Sequence, residues 1–185
     1  MNPVKKIFQL AFIATIGIIT LVGCSGGDDR DAKTATSALI NENKSIVAFG
    51  HISVQQLLDK LDYKHLPKAG AILSGELSSW ESGVDFSKPV YFAVQAPFAI
   101  DGSPELTYML FDVKDKDSLA DKFNGMGYEA TESGDIQCFN NGDVGIGIRN
   151  TLAIVLIKGG SPDFTALLKT AFEQTEGDES TGKTG

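Results

Sequence analysis

Cysteine is almost missing from this chain: there are two in 185 residues, at positions 24 and 138. At most one disulfide can form, so the fold must stand on its core and not on a covalent framework. Histidine is as scarce. His51 and His65 alone exclude a metal site built from three or more imidazoles. No Gly-x-Ser-x-Gly elbow occurs, and the Gly-Lys-Thr of residues 182–184 lacks the upstream glycines, strand and following helix of a phosphate loop. Cationic residues are outnumbered, 16 Lys and Arg against 24 Asp and Glu, for a formal net charge of −8. Nothing in such a chain builds a basic groove for phosphates, which excludes nucleic acid as a partner. Hydrophobic residues, at 42%, suffice for the core of one domain.

Long apolar runs are absent except at the start. Lys5 and Lys6 precede an apolar stretch over 7–22, broken only by Gln9, Thr15, Gly17 and Thr20. Its length suits a signal h-region and falls short of the roughly 20 residues that a membrane-spanning helix needs. Leu21-Val22-Gly23-Cys24 then resembles the lipobox of bacterial lipoprotein precursors. The residue types fit that chemistry: small Gly23 lets a signal peptidase approach the bond before Cys24, whose thiol takes a diacylglyceryl group. An uncleaved membrane helix fits less well, because the span is short and a polar Ser25-Gly26-Gly27-Asp28-Asp29 follows at once. The resemblance implies further acylation of the new N-terminus, and two or more chains anchor stably where one is marginal.

Cleavage after Gly23 would leave 14 cationic against 24 acidic residues, a net of −10. Anionic head groups repel such a chain, so contact with the membrane is expected from the lipid on Cys24 alone. Cys138 is then left without a disulfide partner. Ser25 in place of Asp resembles the sorting pattern for the outer membrane. Asp28-Asp29, with Asp31 close by, is similar to the acidic export signal of Bacteroidetes surface lipoproteins, although Gly26, Gly27 and Arg30 interrupt it. A solvated acidic linker is the alternative, so the periplasmic or surface-facing side stays open.

The pattern divides the chain into a signal over 1–23, a lipidated cysteine with a flexible tether over 24–43, one domain over 44–173 and a disordered polar tail over 174–185. Within the domain, Ile46–Ile52 reads as a buried strand. Ser53 then caps a helix with Val54, Leu57, Leu58 and Leu61 on its inward face. Pro67 breaks that run before a weaker helix over 69–80. Strands over 90–95 and 106–113 flank an Asp101-Gly102 turn, and a helix spans 115–123. Three short strands follow over 128–131, 136–139 and 144–148, with Asn141-Gly142 as a type I′ hairpin signal. Leu152–Ile157, the most hydrophobic strand, is expected at the centre, and a last helix over 162–172 places Phe164, Leu167, Leu168 and Ala171 inward. Three times, at Ile46, Tyr108 and Leu152, an apolar strand leads through a short loop into a helix. The expected class is α+β: an antiparallel-rich mixed sheet with helices packed on one face.

Residues 83–94, Gly-Val-Asp-Phe-Ser-Lys-Pro-Val-Tyr-Phe-Ala-Val, lie between a leucine-rich helix and a strand that leads to Leu-Ala-Asp-Lys-Phe. In that order the chain resembles uncharacterised Bacteroidetes lipoproteins of a domain-of-unknown-function type, over roughly 45–157. The resemblance implies a compartment and a fold; it brings no catalytic chemistry.

Each candidate for chemistry has a plainer explanation. Cys138 lies mid-strand with Asp135 and Asp143 nearby, a poor setting for a thiolate, and reads as a small core residue. His51, His65 and Asp59 or Asp62 match no zinc-ligand spacing. Asp112, Asp115 and Asp117 lack the glycine and closing Glu of a calcium loop, with Glu129 too far along; the last two fit a helix N-terminus. Gly142, Gly145 and Gly147 lie between two strands, where a dinucleotide loop would open a helix. Of Trp80, Tyr91 and Phe92, the last two point to opposite sides of a strand, so at most one can stack on a sugar. No catalytic, metal-binding or cofactor-binding residue emerges. The expectation is a non-enzymatic, membrane-anchored domain that binds an envelope protein or glycan. An envelope hydrolase would need His51, His65 and an Asp gathered in a cleft. A structural piece of a longer lipoprotein would show a long exposed sheet edge or a bare apolar patch.

Overall fold

The computed structural model describes residues 30–61, 75–99, 102–160 and 162–177. The elements run α1 (Ala32–Glu42), β1 (Ile46–Ile52), α2 (Val54–Leu61), α3 (75–80), β2 (Val90–Phe98), β3 (Pro104–Asp112), α4 (Lys116–Gly125), β4 (Glu129–Ser133), β5 (Ile136–Asn141), β6 (Val144–Arg149), β7 (Leu152–Ile157) and α5 (Phe164–Glu176). Seven strands form one sheet in the order β1-β2-β3-β7-β6-β5-β4, and every neighbouring pair is antiparallel. The class is α+β. β7 is the middle strand, as its run of apolar residues requires when both faces are covered.

Alternation along the strands sends side chains into two cores. Leu110, Cys138, Leu152, Ile154 and Leu156 face α1 and α5, where they meet Leu39, Phe164, Leu168 and Phe172. Phe139, Ile146, Ile148, Ala153 and Val155 face the other way, against Val84 and against Leu119, Ala120 and Phe123 of α4. Two helices thus cover one face, and α4 covers part of the other. The strand-loop-helix order recurs as β1-α2, β3-α4 and β7-α5.

Three two-residue turns connect the last four strands: Gly134-Asp135, Gly142-Asp143 and Asn150-Thr151. Each places a residue with positive φ first, at 64°, 63° and 53°. Among the described residues Asn150 is the only non-glycine residue with positive φ, so Asp143 does not share the conformation of Gly142. This is the pattern of a type II′ turn centred on Gly142-Asp143, one residue along from the type I′ turn expected at Asn141-Gly142.

Both ends of the domain need correction. The segment expected to be a flexible tether over 24–43 contains α1. Asp31 caps it by accepting from Thr34 N at 2.8 Å, and Ala32, Ala35 and Leu39 are fully buried. At the C-terminus, α5 continues through residues 174–176, expected to begin the polar tail. Thr175 is buried, and Arg30 Nη1 donates to its carbonyl at 2.8 Å and to that of Glu176. The folded unit therefore extends beyond 44–173 at both ends. Leu57, expected to face inward, is 45% exposed. The signal segment and residues 178–185 lie outside the described residues.

Candidate interaction edge

The sheet has two edge strands of opposite character. β4 reads Glu-Ala-Thr-Glu-Ser, and its exposed charges discourage pairing with another chain. β1 reads Ile-Val-Ala-Phe-Gly-His-Ile and has no Asp, Glu, Lys or Arg. Val47 is 56% exposed and Phe49 49% exposed. An irregularity between Ile46 and Ala48 leaves Val47 without a partner on β2, while Ala48 to Ile52 pair regularly with Val94 to Val90.

Register fixes which side chains stand together on β1. Phe49 pairs with Ala93 and His51 with Tyr91, on the face where α1 packs against β2 and β3. The His51 and Tyr91 rings lie 5.6 Å apart between centroids. Burial raises the Tyr91 hydroxyl above its ordinary pKa, as do the negative charges of Asp31 and Asp112. On the opposite face Phe92 lies over Gly50, where a Cβ would come within 2.7 Å of the ring. The ring substitutes for the missing side chain and stiffens the edge.

A polar cluster closes the same end of the sheet. Asp112 is 4% exposed, takes Lys88 Nζ at 2.9 Å, and faces the N–H of Ala32 at 3.4 Å. The hydrogen bond with Asp112 raises Lys88 above its usual range. The Ser87 hydroxyl lowers Asp85. The cluster is saturated by its own partners and ties α1 to β3.

The other candidates fall as follows. Gly23, Cys24, Ser25, Asp28, Asp29, Asp62 and His65 lie outside the described residues, so a His51–His65 pair is not visible. Cys138 is buried, burial pushes its thiol up, and Sγ lies 3.9 Å from the Ile136 carbonyl, a setting opposite to that of a nucleophile. Asp115 caps α4 through Asp117 N and Ser118 N, at 2.9 and 3.0 Å. Gly145 and Gly147 make room for α5: a Cβ would come within 2.3 Å of the Phe164 ring and 2.7 Å of the Phe172 ring. Trp80 packs on Phe123 beneath Lys122. Among the described residues, no group of three or more His, Cys, Asp or Glu could hold a metal ion, and no helix is long and apolar enough to cross a membrane. β1 was missed as an edge because its apolar run reads as a buried strand; only pairing order reveals its open side. No family model, curated protein or solved structure matches the chain.

Proposed function

We propose that this chain is a lipid-anchored protein of the bacterial envelope, at the outer membrane, whose domain acts by binding a protein partner and not by catalysis. The Gly23-Cys24 pattern supports the anchor, and the buried thiol of Cys138 supports the absence of nucleophilic chemistry there. The observation behind the binding reading is β1, an uncharged edge strand with Val47 and Phe49 exposed. An extended segment of the partner would add to it as an eighth strand. Main-chain hydrogen bonds would supply affinity, and Phe49 and His51 would select apolar side chains opposite them.

The same edge favours one second reading, a structural piece whose sheet continues into a larger assembly. A benzophenone amino acid in place of Phe49, in the full-length chain in cells, tests both. A discrete adduct from position 49, and none from Thr131 on the β4 edge, is the expected result. A partner-binding domain gives it in a fraction of copies, whereas a structural piece gives it in nearly all. No adduct from position 49, or equal adducts from both edges, contradicts the assignment to β1.

A further inference from the structure

We infer that the domain stands on its membrane with the Arg30 end facing the lipid head groups and the β2–β3 hairpin pointing away. This rests on Cys24 carrying the lipid, and it follows from where the folded chain begins. A tether through residue 43 would let the domain roam by about 70 Å, at roughly 3.5 Å per extended residue. The structure takes that freedom away. Arg30 is held by the last turn of α5, Asp31 caps α1, and Ala32 is fully buried with its N–H towards Asp112. Five residues, 25–29, separate the acylated cysteine from Arg30, a reach of about 20 Å at most.

The sheet sets what lies near and far. Ala32 stands beside Asp112, which pairs with Leu152, and Val113 N donates to the Thr151 carbonyl. The Asn150-Thr151 turn and the Ile52 end of β1 therefore share the Arg30 end. Phe98, Pro104, Ile157 and Gly159 belong to the opposite end. β1 then runs towards the membrane, with Ile52 nearer the lipid than Ile46.

Energy transfer from the full-length acylated protein to labelled lipid in phosphatidylethanolamine–phosphatidylglycerol vesicles tests this. Thr151→Cys and Gly159→Cys place single donors on either side of β7. Both positions are exposed, and a Cβ at Gly159 meets nothing within 4 Å. Cys138 is buried and acylated Cys24 is blocked, so neither takes the label. The donor at 151 is expected about 20 Å closer to the lipid than the donor at 159, the rise of six strand residues. Equal distances, or the reverse order, overturn the orientation while leaving the anchor intact. Protein that does not float with the vesicles, and takes label on Cys24, overturns the anchored reading itself.

Discussion

Asp112 sits at the end of β3 with 4% of its surface exposed, and three elements meet on it: β3 itself, the Lys88 segment and the N-terminus of α1. A buried carboxylate keeps its charge only where such partners replace water. Asp112→Ala leaves Lys88 and the Ala32 N–H without their acceptor, and we expect a loss of about 1–3 kcal/mol in urea unfolding. An unchanged midpoint would show that the cluster is surface decoration. The charges nearby also set a pH range. Burial pushes Asp31 up, but hydrogen bonds from Thr34 and the charges of Lys88 and Lys33 bring it below its ordinary 3.8. Asp85 is lowered as well, by Ser87 first. Their contribution is present above 3.8 and is lost as pH falls through the lowered folded values. Lys88 is raised from 10.5, and burial pushes Tyr108 up to about 12, so these contributions are present at neutral pH and lost as pH rises past their ordinary values. The urea midpoint should be level from about pH 5 to about pH 9 and fall on both sides. Asp31→Asn with Asp85→Asn should flatten the acid limb; an acid limb identical to the wild type would contradict the assignment.

At the scale of elements, the chain was legible wherever one face alternates with the other, and Leu152–Ile157 was placed at the centre by its apolar run alone. α1 was not legible. Its buried face consists of Ala32, Ala35, Thr36 and Leu39, small or polar residues that read as linker until the sheet is present to pack against them. The last turn of α5 was hidden for a related reason, since Thr175 is buried by tertiary contact and Arg30 reaches its carbonyl from 145 residues away. The hairpin turn slipped by one because Asn141-Gly142 and Gly142-Asp143 are both favourable pairs, and strand register decides between them. If α1 belongs to the core, Leu39→Ala should cost about 2–5 kcal/mol. Phe49→Lys on the exposed edge should change stability by less than about 0.5 kcal/mol, and a benzophenone placed at Val47 in that variant should no longer give the β1 adduct. Chemical denaturation of the two variants separates these roles; equal losses would contradict them. Gly145→Ala should destabilise by about 1–3 kcal/mol, because its methyl group would enter the Phe164 ring.

For the whole molecule, one end and one side of the sheet differ in character. One end takes the chain in from the N-terminus and fixes it with Arg30, Asp31 and Asp112; along one side runs an edge strand that the fold leaves uncharged and open. The proposed anchor rests on a four-residue pattern in the sequence, because lipidation depends on local chemistry. The open edge at β1 was not legible there, because an edge is a property of strand order. The proposed binding at β1 and the proposed orientation on the membrane both depend on where the chain is held. The most direct measurement is therefore the mass of the mature protein's N-terminal peptide, isolated from membranes. We predict that it begins at Cys24, with a thioether-linked diacylglyceryl group and an acylated amine. A peptide that retains residues before Cys24, or an unmodified Cys24, would contradict the account.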